Sequence, residues 1–76
     1  MEAEKWGRRI RAFRKLKGYT QDSFAKELGV SVTMLGEIER GNKMPNDSIL
    51  DNIVKVLNIS KEELEPREDT QSEGEV

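Results

Sequence analysis

The chain contains no cysteine and no histidine. The first absence excludes a disulfide framework and a thiolate metal site. The second removes the commonest general base and the commonest metal ligand together. No apolar run approaches the ~18 residues that cross a bilayer, and the N-terminus lacks the apolar stretch of a signal peptide, so a cytoplasmic location is expected. A Gly-rich phosphate loop is also missing, and the carboxylates fall on outer helix faces or in the C-terminal segment. Enzymatic chemistry, a cofactor, a metal site and a small-molecule ligand are therefore not expected.

What remains is a short chain with uneven charge. Its 76 residues allow one domain, and a chain of that size buries only about 60% of its unfolded surface, so its core must be compact. The net charge of −2 hides a division. Residues 1–45 hold ten Lys/Arg against six Asp/Glu, whereas residues 46–76 hold three against nine. Such asymmetry is a feature of chains that meet nucleic acid, and equally of a solvated protein with an acidic end. Beyond Leu64 the run EPREDTQSEGEV has no large apolar side chain to offset its ordering entropy, so 66–76 is expected to be a disordered acidic tail after a folded domain at 1–65.

Five helices are predicted in that domain. The first spans about 4–17, where Trp6, Ile10, Phe13 and Leu16 or Lys17 make one stripe, with Gly18 closing it. Others are expected at about 21–28, 32–40, 47–57 and 61–65, the second and third closed by Gly29 and Gly41. Thr20, Ser31, Asn46 and Ser60 each stand where a side-chain oxygen caps the following helix. Around those caps, Tyr19 with Phe24, Val30 with Leu35, Pro45 with Leu50 and Ile59 with Leu64 are spaced as hydrophobic staples, and Ser60 with Glu63 as a capping box. No alternating strand pattern and no repeat is present, so the fold class is all-α.

The stretch QDSFAKELGVSVTMLGEI, from Gln21 to Ile38, reads as helix, tight turn, helix. Ala25 is small where the two helices would cross. Gly29 accepts the left-handed backbone of the turn, a conformation that costs other residues about 1–2 kcal/mol. Val30, Leu35 and Ile38 supply the apolar seam. The outward face of the second helix is then Val32, Thr33, Gly36, Glu37 and Arg40, with no large apolar group, and a helix free on that side suits a major groove.

With RAFRKLKGY before it and LDNIVKVLNISKEEL after it, the run TQDSFAKELGVSVTMLGEIERGNKMP resembles the XRE-type helix-turn-helix regulators, the phage repressor and Cro family. The likeness covers about Trp6 to Leu64. It implies a compact five-helix lambda-repressor-like DNA-binding domain, with the helix-turn-helix motif at about 21–40. It implies double-stranded operator DNA as partner and repression by operator occupancy as a homodimer.

Residue by residue, the resemblance implies that Gln21 binds a backbone phosphate, that Val32, Thr33 and Glu37 reach base edges, and that Arg14 and Glu39 form a structural ion pair. The methyls of Val32 and Thr33 suit a thymine methyl, and a carboxylate at Glu37 accepts from cytosine N4. A carboxylate departs from the Arg, Lys, Gln or Ser more common there in the family, and the alternative for Glu37 is pairing with Arg40. Arg40, Asn42 and Lys43 form a candidate phosphate clamp. Arg8, Arg9, Arg11 and Lys15 are expected to act only as a long-range positive field. Surplus apolar surface on the last two helices makes Val56, Ile59 and Leu64 dimer-interface candidates. The competing reading is a helix-turn-helix module for protein–protein contact. The sequence leaves open whether the chain is a stand-alone regulator or a fragment, and whether it represses or activates.

Overall fold

The structure, a computed structural model, describes residues 2–66, so the tail expected at 66–76 lies outside the described residues except for Pro66. Among the described residues there are five helices and no strand: α1 (Glu2–Leu16), α2 (Gln21–Leu28), α3 (Val32–Arg40), α4 (Asp47–Leu57) and α5 (Lys61–Leu64). None of these helices is long and apolar enough to cross a membrane.

Local chemistry sets the boundaries. The hydroxyl of Thr20 accepts from the Ser23 amide, that of Ser31 from Met34, the Asn46 side chain from Ile49, and the Ser60 hydroxyl from Glu63. Each thereby satisfies a donor that the first helical turn leaves unpaired. Thr20 with Ser23 and Ser60 with Glu63 are reciprocal capping boxes. At the other ends α2 and α3 stop at Gly29 and Gly41, both left-handed, with φ of 76° and 84°. Helix α4 stops at Asn58, a non-glycine residue in the same region at φ 57°, where a short polar side chain is tolerated.

The core draws on all five helices. Ile10, Phe24, Leu35, Ile38, Ile53, Leu57 and Leu64 are fully buried, with Trp6, Ala25, Leu28 and Leu50 beside them. Each large member removed from water contributes about 1.5–3 kcal/mol. Tyr19 and Phe24 pack with their rings tilted at 42° and centroids 5.3 Å apart, a contact that their spacing around Thr20 predicts. The stripe on α1 differs from expectation at its C-terminal end. Leu16 is 75% exposed, and the position facing inward is Arg14. The reason is the approach of α3, which meets α1 with an acidic side chain, Glu39, that an aliphatic stripe would leave unpaired.

That approach is close. A Cβ on Gly7 would overlap the carbonyl oxygen of Ile38 and stand 2.6 Å from that of Glu39. Gly7 is buried in this contact, although a glycine inside a helix reads in the sequence only as a weak point.

Candidate nucleic-acid interface

Helix α3 has an inner side and an outer side. Inward, Leu35, Ile38 and Glu39 are buried; outward, Val32, Thr33 and Arg40 are exposed and Glu37 is half-buried. Val32 is 38% exposed, and Thr33 is exposed beside it. The turn before α3 is held by the Gly29 and Val30 amides, which donate back to Lys26 and Ala25. Ala25 itself is buried at the seam between α2 and α3.

Arg14 and Glu39 lock α1 to α3. Nε of Arg14 donates to Oε2 of Glu39 at 2.6 Å and Nη2 donates to Oε1 at 3.2 Å, with side-chain exposures of only 8% and 2%. Nη1 of Arg14 also donates to the Tyr19 carbonyl at 2.9 Å, which ties down the loop into α2. The two side-on bonds use the planar fork of the guanidinium, which lysine lacks. Gln21 joins this network, its amide nitrogen donating to Oε1 of Glu39 at 3.1 Å. One N–H of that amide is thus engaged in holding α2 to α3, and one remains for a ligand. Arg11, Arg14, Tyr19, Thr20, Gln21, Glu39 and Arg40 line a cleft at the N-terminus of α2, where backbone amides and three arginines, against the one carboxylate of Glu39, favour an anion.

On the outer side Glu37 pairs with Arg40, Nη2 donating to Oε2 at 3.0 Å. Gly36, read from sequence as part of the free face, is buried, and its cover is the Arg40 side chain. Asn42 and Lys43 follow the left-handed Gly41 and are exposed, with the Asn42 amide donating to the Glu37 carbonyl at 2.9 Å.

Two expectations are corrected here. Leu64, a dimer-interface candidate, is fully buried in the domain's own core, because the capping box at Ser60 turns α5 inward against α1 and α4. It has no surface to offer a second chain. Val56 and Ile59 are half-buried and do have some. Arg9, expected to add only distant charge, donates through Nε to the Leu64 carbonyl at 3.1 Å and through Nη2 to the Glu63 carbonyl, while its guanidinium sits 5.5 Å from the Phe13 ring centroid. It caps the carbonyl end of α5. A bond between residues 55 apart leaves no local trace in a sequence.

Residues 10–64 match the family model described as helix-turn-helix, HTH_3. The chain is 68% identical over 68 residues to an uncharacterized HTH-type transcriptional regulator, YazB, of Bacillus subtilis (strain 168), covering 90% of this chain and 99% of the relative. Its structure resembles that of the clp gene regulator ClgR from Corynebacterium glutamicum, with a TM-score of 0.81 at 31% identity over 84% of this chain and 68% of the other. It also resembles SinR, described as the master regulator for biofilm formation, in a structure solved in complex with DNA: TM-score 0.73, 35% identity, 78% of this chain and 95% of the other.

Proposed function

The chain belongs to the helix-turn-helix family of transcriptional regulators, and from that membership we propose that it represses transcription by occupying a specific operator as a homodimer. The observation that carries this reading is the bare outer side of α3, with Val32 and Thr33 uncovered on a helix braced from behind by the Arg14–Glu39 pair. A helix so held can enter a major groove without rearrangement of the domain. In this proposal Val32 and Thr33 meet base edges, with Glu37 and Arg40 beside them on the same side. Gln21, the amides that open α2, Asn42 and Lys43 hold phosphates and set the register. The basic balance of residues 1–45 draws this side toward DNA, and the protein works in the cytoplasm, where its operator is. Val56 and Ile59 are the remaining candidates for the contact between two copies, which would place two α3 helices about one turn of DNA apart.

The solved complex of SinR with DNA, at 35% identity, supports the same partner for this chain. Selection of bound sites from a random DNA pool tests the reading. The expected product is a short pseudo-palindrome whose affinity falls steeply with salt, and Thr33→Ala is expected to relax one position in each half. Absence of salt-dependent DNA binding would sink the proposal. Sedimentation on the selected DNA tests the dimer, with two chains per site expected and one chain per site counting against it.

A further inference from the structure

The outer side of α3 holds a small assembly of three residues. A methyl group built on Gly36 would stand 3.2 Å from Nη1 of Arg40 and 3.8 Å from its central guanidinium carbon, so the guanidinium covers the glycine with Nη1 nearest. Helical side chains lean toward the N-terminus, and Arg40 follows that rule by reaching back one turn, toward Val32 and Thr33. Glu37 holds it there through the 3.0 Å bond to Nη2. The Arg40 side chain is nevertheless 62% exposed, and its other N–H groups form no hydrogen bond with the described residues.

The geometry points to Arg40 as a base-reading group directed at guanine, with Glu37 as its positioning residue and Gly36 as the space it occupies. The inference rests on the DNA-binding reading above and assigns the chemistry of its base contact. Three facts converge on it. A guanidinium offers the paired donors that match O6 and N7 of guanine, and here that fork lies on the same side of α3 as Val32 and Thr33. Its charge is already balanced by Glu37, so it has little left for the sequence-independent attraction of phosphate, which depends on unneutralised cations. An exposed pair of this kind adds little to the fold, and a glycine inside a helix weakens it, so neither feature serves stability. Glu37 then acts on DNA through Arg40 and makes no contact of its own with cytosine.

A guanine read by Arg40 and a cytosine read by Glu37 specify the same base pair, so variants must separate them. Arg40→Lys keeps the charge and loses the fork; Glu37→Gln loses the anchor; Gly36→Ala displaces the guanidinium. In site selection with the full chain, the wild type is expected to require a G·C pair at one position of each half-site. Arg40→Lys is expected to lower that discrimination about tenfold or more, while the salt slope and the positions read by Val32 and Thr33 stay as they were. Glu37→Gln and Gly36→Ala are expected to weaken the same position with no fall in thermal midpoint, which a merely structural role would not produce. The inference is overturned if Arg40→Lys keeps the preference and Glu37→Gln abolishes it, or if both Glu37→Gln and Gly36→Ala leave it intact. It is overturned also if the wild type binds DNA with normal salt dependence but needs no G·C pair. A wild type that binds no DNA sinks the regulator reading instead.

Discussion

Helix α3 carries a glutamate–arginine pair on each of its two sides. Glu39 faces inward to Arg14 of α1, with both side chains nearly out of water, and the bond closes two-pronged. Glu37 faces outward to Arg40 three residues on, with exposures of 35% and 62% and a single bond. The same two chemical groups do different work because their solvent differs. In the interior, an unpaired charge has no water to fall back on, so loss of either partner is costly. At the surface, water replaces whichever partner leaves, and the pair adds at most about 1 kcal/mol. The inner pair is available to hold α3 in place, and the outer one is free to serve recognition.

This contrast can be broken most directly from the inside. Arg14→Ala strands the Glu39 carboxylate in the interior and frees the Tyr19 carbonyl, and about 3–5 kcal/mol of stability is expected to go, read as the shift in urea midpoint. A domain of this size has only a few kcal/mol to lose, so the variants and the wild type are compared in a stabilising osmolyte such as sucrose, which keeps each folded at zero urea. A wild-type melting curve for Arg14→Ala would erase the distinction between the two pairs. Next in size is Gly7→Ala, which forces a methyl onto the carbonyls of Ile38 and Glu39 and pushes α1 off the end of α3. Overpacking against backbone is expected to cost about 2–3 kcal/mol by the same measurement. Because the shift would also strain the inner pair, Gly7→Ala combined with Arg14→Ala is expected to cost less than the two separately, a coupling that a double-mutant cycle reads out. Gly36→Ala belongs to the outer side and is expected to go the other way, raising stability by up to about 1 kcal/mol, since the atom it displaces is the end of a flexible side chain. Glu37→Gln should change the midpoint least, within about 0.5 kcal/mol.

Much of the fold was legible in the sequence for a local reason. The caps Thr20, Ser31, Asn46 and Ser60 and the glycines 29 and 41 act within a few residues of themselves, so α2 and α3 begin and end, and α4 and α5 begin, where those residues predict. Asn58 could have been added to that set, since Asn is the non-glycine residue that best tolerates the left-handed cap. The exposed side of α3 followed from helical spacing except at Gly36, whereas the inward turn of Glu39 came only from the family likeness, which paired it with Arg14.

What could not be read are the contacts that depend on how far one element sits from another. Periodicity says which side of a helix faces in and nothing about how near the neighbour comes, so nothing in the sequence sets Gly7 apart from other helical glycines. Apolar character says that Leu64 wants cover and does not say whether its own domain or a second chain provides it. Arg9 looked like one more exposed cation because its acceptors, the last carbonyls of α5, lie at the other end of the domain. The outer side of α3 was seen as a set of residue types, whereas its shape, an arginine laid in the space left by a glycine, comes from three side chains acting together.

The length of α3 has a consequence of its own. Nine residues at 1.5 Å each make a rod of about 13 Å, the length of roughly four base pairs at 3.4 Å spacing. A four-letter word drawn from four bases has roughly 256 spellings, while a genome offers on the order of a million competing addresses or more. One such rod therefore returns thousands of matches, and reading two words at a fixed separation cuts that number by another factor of roughly 256. Under the operator reading proposed above, the brevity of this helix would make addressing by a single copy ambiguous, and arithmetic as well as symmetry would favour the pairing of two copies.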